Sequence, residues 1–395
     1  MARQAMKRTP VKQVEEEAPE IETEEVEEEE VAPPAEPTEE QKRDWEFISR
    51  IVKGMEKECG KGSVLVPTRS TILGTVEHWA STRNFMIDYA IAGGLPMPRP
   101  IIPFGRITEI AGLNETGKTT LLSQILAETQ RLSGIAAIVD VEHTLDLSYM
   151  ELLGVDLSRL IIAPADTIEE GFHKAKQMVK TIMESGSDKL VALGWDSLGA
   201  TPTQAQMDSD DSGNPHGVAA KIVGQNLQTF NGMIAKHKIA LIFTNHVWHD
   251  HNVKYGDPYK SYAGEKFRYF ATLRLRLTKS GQIKEKEEGT AEDDSKQVIG
   301  SKIKVGVLKN KMAPYRKTVE VPCLGGLGFS TDYCVFEQGL KQGVINGTTW
   351  KTWETPNGEE VKFQGWRGFQ EKVMLHPEYP ALVETVVRNY YQKAG

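Results

Sequence analysis

The chain has 395 residues, room for one large domain or two to three ordinary ones, and no run of 18 apolar residues that would make a membrane-spanning helix. Its three cysteines, Cys59, Cys323 and Cys334, form neither a CxxC pair nor an even disulfide framework, and no apolar segment follows the basic residues at the start. A cytoplasmic setting is therefore expected, not a disulfide-stapled secreted scaffold.

The net charge of −8 misleads, because residues 15–40 hold 14 glutamates and no Lys or Arg. Without that stretch, 47 basic residues face 41 acidic ones, so the remainder is mildly basic. Residues 1–41 read as a disordered acidic arm, rich in Glu and Pro and poor in aromatics. Two roles fit it: a solubilising tail, or a mimic of DNA that competes for a basic surface of the same protein.

Residues 42–85 form the next segment. In QKRDWEFISRIVKGMEKECGKGS (41–63), Trp45, Ile48, Ile51, Val52 and Met55 recur on one helical face, and GKG supplies a stop. From Gly105 onward, strand-like runs alternate with amphipathic helices: GRITEIA (105–111), IAAIVD (135–140), RLIIA (159–163), KLVALGW (189–195) and IALIFTN (239–245). In the helix TIEEGFHKAKQMVKTIMESG (167–186), Thr167 and Glu170 make a capping box. Short buried strands separated by helices predict a parallel sheet covered on both faces. YFATLRLRLTK (269–279) and SKIKVGVLKNK (301–311) lack a helix between them and read as antiparallel additions, joined by a polar mobile loop over 280–300. Beyond residue 345, an Asn357-Gly358 hairpin signal and a last helix suggest a small separate domain over 329–395.

GLNETGKTT (112–120) follows the first strand and opens the helix KTTLLSQILAETQRLS, fitting G-x-x-x-x-G-K-[ST]. Gly112 and Gly117 permit a tight turn, so the N–H groups of Leu113, Asn114, Glu115 and Thr116 can face a phosphate at the helix N-terminus. Lys118 reaches the β/γ-phosphates, Thr119 offers a hydroxyl to Mg²⁺, and Thr120 completes the motif. ATP and Mg²⁺ are the expected cofactors. Asp196, at the end of the LVALGWD run, is the expected second Mg²⁺ partner. Glu142, in IVDVEHTLD, stands past another strand where a carboxylate can polarise water, and on spacing alone Asp140 is nearly its equal. NHVWHDHNVKYGDPYK (245–260) mixes His246, His249, Asp250 and His251 with aromatics and lysines. Its residue types suit a metal site, a nucleic-acid loop or a surface turn.

GKTT, DVEHTLDLSYMELLGVD and WDSLGATP together resemble the RecA family of recombinases. IVKGMEKECGKGSVL (51–65) is similar to the family's N-terminal helix, AGGLPM (92–97) and GRITEI precede the P-loop as they do there, and VGVLKNKMA (305–313) resembles its KNK strand. The resemblance covers residues 42 to 393. It implies an α/β fold with a RecA-like P-loop ATPase core over 86–328: a mostly parallel central sheet flanked by helices, with antiparallel additions. An N-terminal helix for oligomerisation and a small α+β C-terminal domain complete that picture. It further implies an ATP-dependent DNA recombinase, a DNA-dependent ATPase that assembles with itself into helical filaments on single-stranded DNA and exchanges strands with homologous double-stranded DNA. Single-strand-binding and loader proteins would be further partners, and no membrane is involved.

The resemblance also implies roles at matching positions. Glu142 becomes the catalytic glutamate and Asp140 its structural neighbour. Asp146 and Tyr149 match adenine contacts, while Lys309 and Lys311 match lysines that a neighbouring subunit extends toward the phosphates. Two DNA loops are implied, near 204–217 and 246–264. The first has His216, then Gly217, where the family has a DNA-contacting methionine, and it carries Asp208, Asp210 and Asp211 without a basic residue. In the second, Trp248, Lys254, Tyr255, Gly256 and Lys260 are the expected DNA contacts. A loop ordered only by DNA does not offer the fixed ligands of a metal site. His246 stands where RecA has a glutamine that senses the γ-phosphate; phage recombinases of the UvsX type also have histidine there. A hexameric helicase and an inactive filament scaffold are the competing classes. The KNK strand speaks against the first, and the intact set Lys118, Thr119, Glu142 and Asp196 against the second.

Overall fold

Alternating apolar runs and capped helices account for most of the architecture. The computed structural model describes residues 38–61, 63–64, 76–95, 97–208, 215–235, 237–249, 259–261, 264–286 and 296–393. The acidic arm up to residue 37 lies outside them, as do 209–214 and 250–258 within the expected DNA loops. The chain divides into two units, Met1–Gly74 and Thr75–Gly395.

The first unit holds helix α1 (Glu39–Cys59), with Glu39 and Glu40 in its first turn and Lys57 in its last, charges that suit the helix dipole. Of the predicted apolar stripe, Trp45, Ile48, Ile51 and Met55 are exposed and Val52 is half-buried.

The second unit begins with a two-stranded antiparallel pair, β1 (Trp79–Ala80) and β2 (Ile102–Pro103), around α2 (Phe85–Ile91). Its large sheet has the order β11-β10-β9-β3-β7-β6-β4-β5. The strands are β3 (Ile107–Gly112), β4 (Ile135–Asp140), β5 (Leu160–Pro164), β6 (Val191–Asp196) and β7 (Ile239–His249), then β9 (Leu273–Lys286), β10 (Lys296–Asn310) and β11 (Thr318–Leu324); β8 (Tyr259–Ser261) pairs with the far end of β7. Strands β3 to β7 are parallel, as the alternation predicts. Three expectations need correction. Strand β9 is parallel to β3, so of the two runs only the second, in β10, pairs antiparallel to its sheet neighbours. The ends of the polar stretch 280–300 are strand, since β9 runs to Lys286 and β10 starts at Lys296, while 287–295 lie outside the described residues. And β7 continues past Asn245 to His249, with His249 opposite Tyr259 rather than in an open loop.

Successive strand residues point to opposite faces. Ala136, Ile138, Ala192 and Ile242 enter one apolar layer, while Ala137, Val139, Leu193, Trp195 and Phe243 enter the other. The first layer is covered by α3 (Lys118–Arg131), and the second by α5 (Ile168–Glu184) and α7 (Pro215–Ile234). Thr167 caps α5 by accepting the Glu170 N–H at 3.2 Å, and the Glu170 carboxylate reaches back to the Asp166 N–H at 2.9 Å. Fully buried Trp195 packs 4.6 Å from the Phe172 ring and needs Gly171 opposite it, where a Cβ would come within 2.4 Å of the indole. Strand β5 lies at the sheet edge, and its Ile161 and Ile162 are exposed.

After β11 come α9 (Thr331–Gln342), a small antiparallel sheet of β12 (Ile345–Asn346), β13 (Lys351–Glu354) and β14 (Glu360–Phe363), then α10 (Gly365–Lys372) and α11 (Tyr379–Lys393). Gly358, with φ 82°, turns the β13–β14 hairpin as its Asn-Gly signal predicts. Phe336, Trp353 and Phe363 share one apolar cluster with Ile110 and Leu275, so the core is continuous across residue 329.

Candidate functional site

The loop from Gly112 to Gly117 connects the end of β3 to the start of α3, at the carboxyl ends of the parallel strands, where open α/β sheets form their binding crevice. Gly117 has φ 84°, a left-handed conformation, and a Cβ there would stand 3.0 Å from the Phe329 ring. Leu113 O accepts hydrogen bonds from Thr116 Oγ1 at 2.8 Å and Lys118 Nζ at 2.9 Å, so the lysine folds back over its own loop. Leu113, Asn114 and Glu115 are exposed along the rim. Burial of Lys118 lowers its pKa, against the opposing pull of Asp196 and Glu142.

Asp196 ends β6 beside the loop. Its Oδ2 accepts a hydrogen bond from Thr119 Oγ1 at 2.6 Å, and its Oδ1 accepts one from Thr244 on β7. Burial nonetheless raises this carboxyl above its usual range. The two candidates that spacing left level are separated by geometry. Asp140 Oδ1 accepts the His143 N–H at 2.9 Å, and the turn so formed presents Glu142. Glu142 Oε1 accepts a hydrogen bond from Ser197 Oγ, and His246 Nε2 lies 3.3 Å away. The hydrogen bond from His246, aided by those from Ser197 and nearby positive charge, lowers the Glu142 pKa despite partial burial.

Asp146 caps α4 (Leu147–Leu152), accepting the Tyr149 N–H at 3.0 Å. The Tyr149 hydroxyl is 3.4 Å from Thr120 Oγ1, which brings both residues beside the P-loop helix. Lys309 and Lys311 lie elsewhere. Lys309 Nζ donates to Arg268 O and, at 3.1 Å, to Tyr269 O, at the end of α8 (Gly264–Phe270). Burial, with Lys311 and Arg274 nearby, lowers its pKa to about 8. The Lys311 N–H donates to Thr272 O at 3.1 Å.

Of the expected DNA contacts, Trp248 on β7 is 44% exposed and pairs across the ladder with exposed Lys260 on β8. The Arg276 guanidinium stands 5.2 Å from the Tyr259 ring centroid. Lys254, Tyr255 and Gly256 lie outside the described residues, and so does His251. His216 and Gly217 belong to the first turn of α7, and α6 (Gln204–Asp208) precedes them, so the described parts of the first loop are helical. Among the described residues no group of three or more His, Cys, Asp or Glu could hold a metal ion.

Sequence reasoning missed Ser197, Thr244 and Gly199, none of which has a spacing rule. It also missed a buried network beneath the site: Glu109 on β3 pairs with Arg274 on β9 and accepts a hydrogen bond from Asn245 Nδ2 at 2.8 Å.

Residues 46–330 match the model of the RecA N-terminal domain. The chain belongs to the RecA family. It is 32% identical to Protein RecA of Thermotoga neapolitana over 358 residues, 90% of this chain and 95% of that protein. Protein RecA of Thioalkalivibrio sulfidiphilus is 32% identical over 343 residues, covering 86% of this chain and 92% of the relative. Protein RecA of Brucella canis is 32% identical over 349 residues, with 88% and 89% covered. As a RecA-family protein, the chain is an ATP-dependent DNA recombinase and a DNA-dependent ATPase that binds ATP.

Proposed function

We propose that this protein assembles with copies of itself on single-stranded DNA, binds ATP and Mg²⁺ at the P-loop, and uses hydrolysis to cycle the assembly during strand exchange with homologous duplex. The observation that carries the reading is the convergence of Lys118, Thr119, Asp196 and Glu142 on one strand-end crevice. Thr119 and Asp196 offer an all-oxygen pair at a helix N-terminus, a donor set that fits Mg²⁺, which takes few protein ligands beside substrate phosphates. When bound, the ion would neutralise charge on the phosphates. Lys118 would leave Leu113 O for the β/γ-phosphates, and Glu142 would accept the proton of the attacking water.

Lys309 and Lys311 act across the interface between copies, where their charge stabilises the transferred phosphoryl group. The exposed apolar stripe of α1 supports assembly, since contiguous apolar surface of this kind marks protein–protein contact. Trp248 and Lys260, with Lys254, Tyr255 and Gly256, hold single-stranded DNA by stacking and charge; His216 and Gly217 begin the helix after the first DNA segment. His246 couples nucleotide to DNA. These assignments predict ATP turnover stimulated by single-stranded DNA, followed by joint molecules with homologous duplex. Turnover indifferent to DNA, with no joint molecules formed, refutes them.

A further inference from the structure

Glu142 Oε1 has two partners. Ser197 Oγ donates to it, and His246 Nε2 lies 3.3 Å from the same atom. They come from different strand ends: Ser197 directly follows β6, and His246 lies on β7. Each is the root of a segment expected to meet DNA. After Ser197 the chain passes through a 3-10 turn (Leu198–Ala200) into α6 and the first loop; after His246 it runs to Trp248 and the second.

The path from Ser197 is tied at nearly every step. Ser197 is fully buried, and Thr201 Oγ1 donates to its carbonyl at 2.9 Å. Pro202 O accepts the Ile168 N–H at 2.9 Å, the Gln204 N–H reaches Glu169 at 3.0 Å, and Gln206 Oε1 accepts the Thr203 N–H at 2.8 Å. Two of these bonds link Ser197 toward α6 along the chain and two dock the same segment on α5, so a displacement of α6 strains a short path that ends at Ser197. The two roots also touch, since a Cβ on Gly199 would fall 2.8 Å from His246 Cβ.

An oxygen that accepts two hydrogen bonds has both lone pairs engaged, and donors to the charged form make a carboxylate less basic. A general base needs that basicity to take a proton from water. We propose that Ser197 is a positioning residue which, together with His246, holds Glu142 in a resting state, so that the roots of both DNA segments control the catalytic carboxylate. The inference rests on Glu142 being the base, as proposed above. DNA at one segment releases one hydrogen bond; full turnover follows when both are released.

The test is ATP turnover by the full chain with and without oligo(dT). In Ser197→Ala, DNA-free kcat rises about tenfold, the rate factor of one hydrogen bond to a charged group, and KM for ATP does not change. The ratio of DNA-stimulated to DNA-free turnover falls by the same factor. Structural damage would lower the rate or raise KM, so it cannot imitate this result. Gly199→Ala leaves Ser197 and Asp196 intact and displaces His246; it too raises DNA-free kcat, and it decides the matter if Ser197→Ala loses nucleotide binding. DNA-free kcat unchanged or reduced in a variant that still binds a fluorescent ATP analogue overturns the inference. A wild-type protein that DNA does not stimulate counts against the proposed function instead, and the DNA-free comparison still stands.

Discussion

At position 246 a histidine meets Glu142, and its removal separates sensing from binding. His246→Ala leaves Lys118, Thr119 and Asp196 in place, so the Kd of a fluorescent ATP analogue stays within about twofold, while stimulation of hydrolysis by DNA falls because only the Ser197 hydrogen bond to Glu142 remains to be released. A variant whose ratio of DNA-stimulated to DNA-free turnover equals that of the wild type contradicts this. The residues that sequence could read are those bound by spacing. Gly112, Gly117, Lys118 and Thr119 are fixed by the requirement that backbone N–H groups, an ammonium and a hydroxyl meet one phosphate chain. Ser197 and Thr244 were not legible, because a serine or threonine at a strand end has many roles. Theirs arise only when the register of β4, β6 and β7 brings those strand ends together. Asp140 and Glu142 could not be told apart by spacing; the first is used up in a backbone turn, and the second faces the crevice.

Among the elements, the parallel strands were legible from their apolar runs, and the ends of β7 and β9 were not. Polar residues such as His249 and Lys284 join ladders there because a partner strand supplies the hydrogen bonds, which no propensity encodes. Packing between β6 and α5 gives a stability prediction. Gly171→Ala forces a methyl group against Trp195 and costs about 1–3 kcal/mol, read as a lower urea midpoint with unchanged slope. An unchanged midpoint would mean that α5 yields freely. At the end of β10, burial holds the Lys309 pKa at about 8, so this lysine is charged below that pH and loses its charge above it. Assembly-dependent hydrolysis therefore falls as pH rises from about 7 to about 9, and Lys309→Arg, whose guanidinium stays charged, flattens that limb. A limb that keeps its shape in the arginine variant would assign it to another group.

On the scale of the whole molecule, charge is unevenly divided between arm and body. Deleting residues 1–40 removes all 14 glutamates of the stretch 15–40, and as a DNA mimic the arm would then cease to compete for the basic surface. Faster loading onto single-stranded DNA at low Mg²⁺ is expected, while unchanged stopped-flow kinetics would favour the solubilising role. Beneath the nucleotide loop, the buried pair of Glu109 and Arg274 has a consequence for how this protein can evolve. Loss of either charge alone strands the other in the core at a cost of about 3–5 kcal/mol, and replacing both with apolar residues removes the acceptor of the buried Asn245 amide as well. A change at one of the two positions is therefore expected to be tolerated only together with a change at the other. An alignment of relatives is expected to show the two positions, 165 residues apart in the chain, changing together.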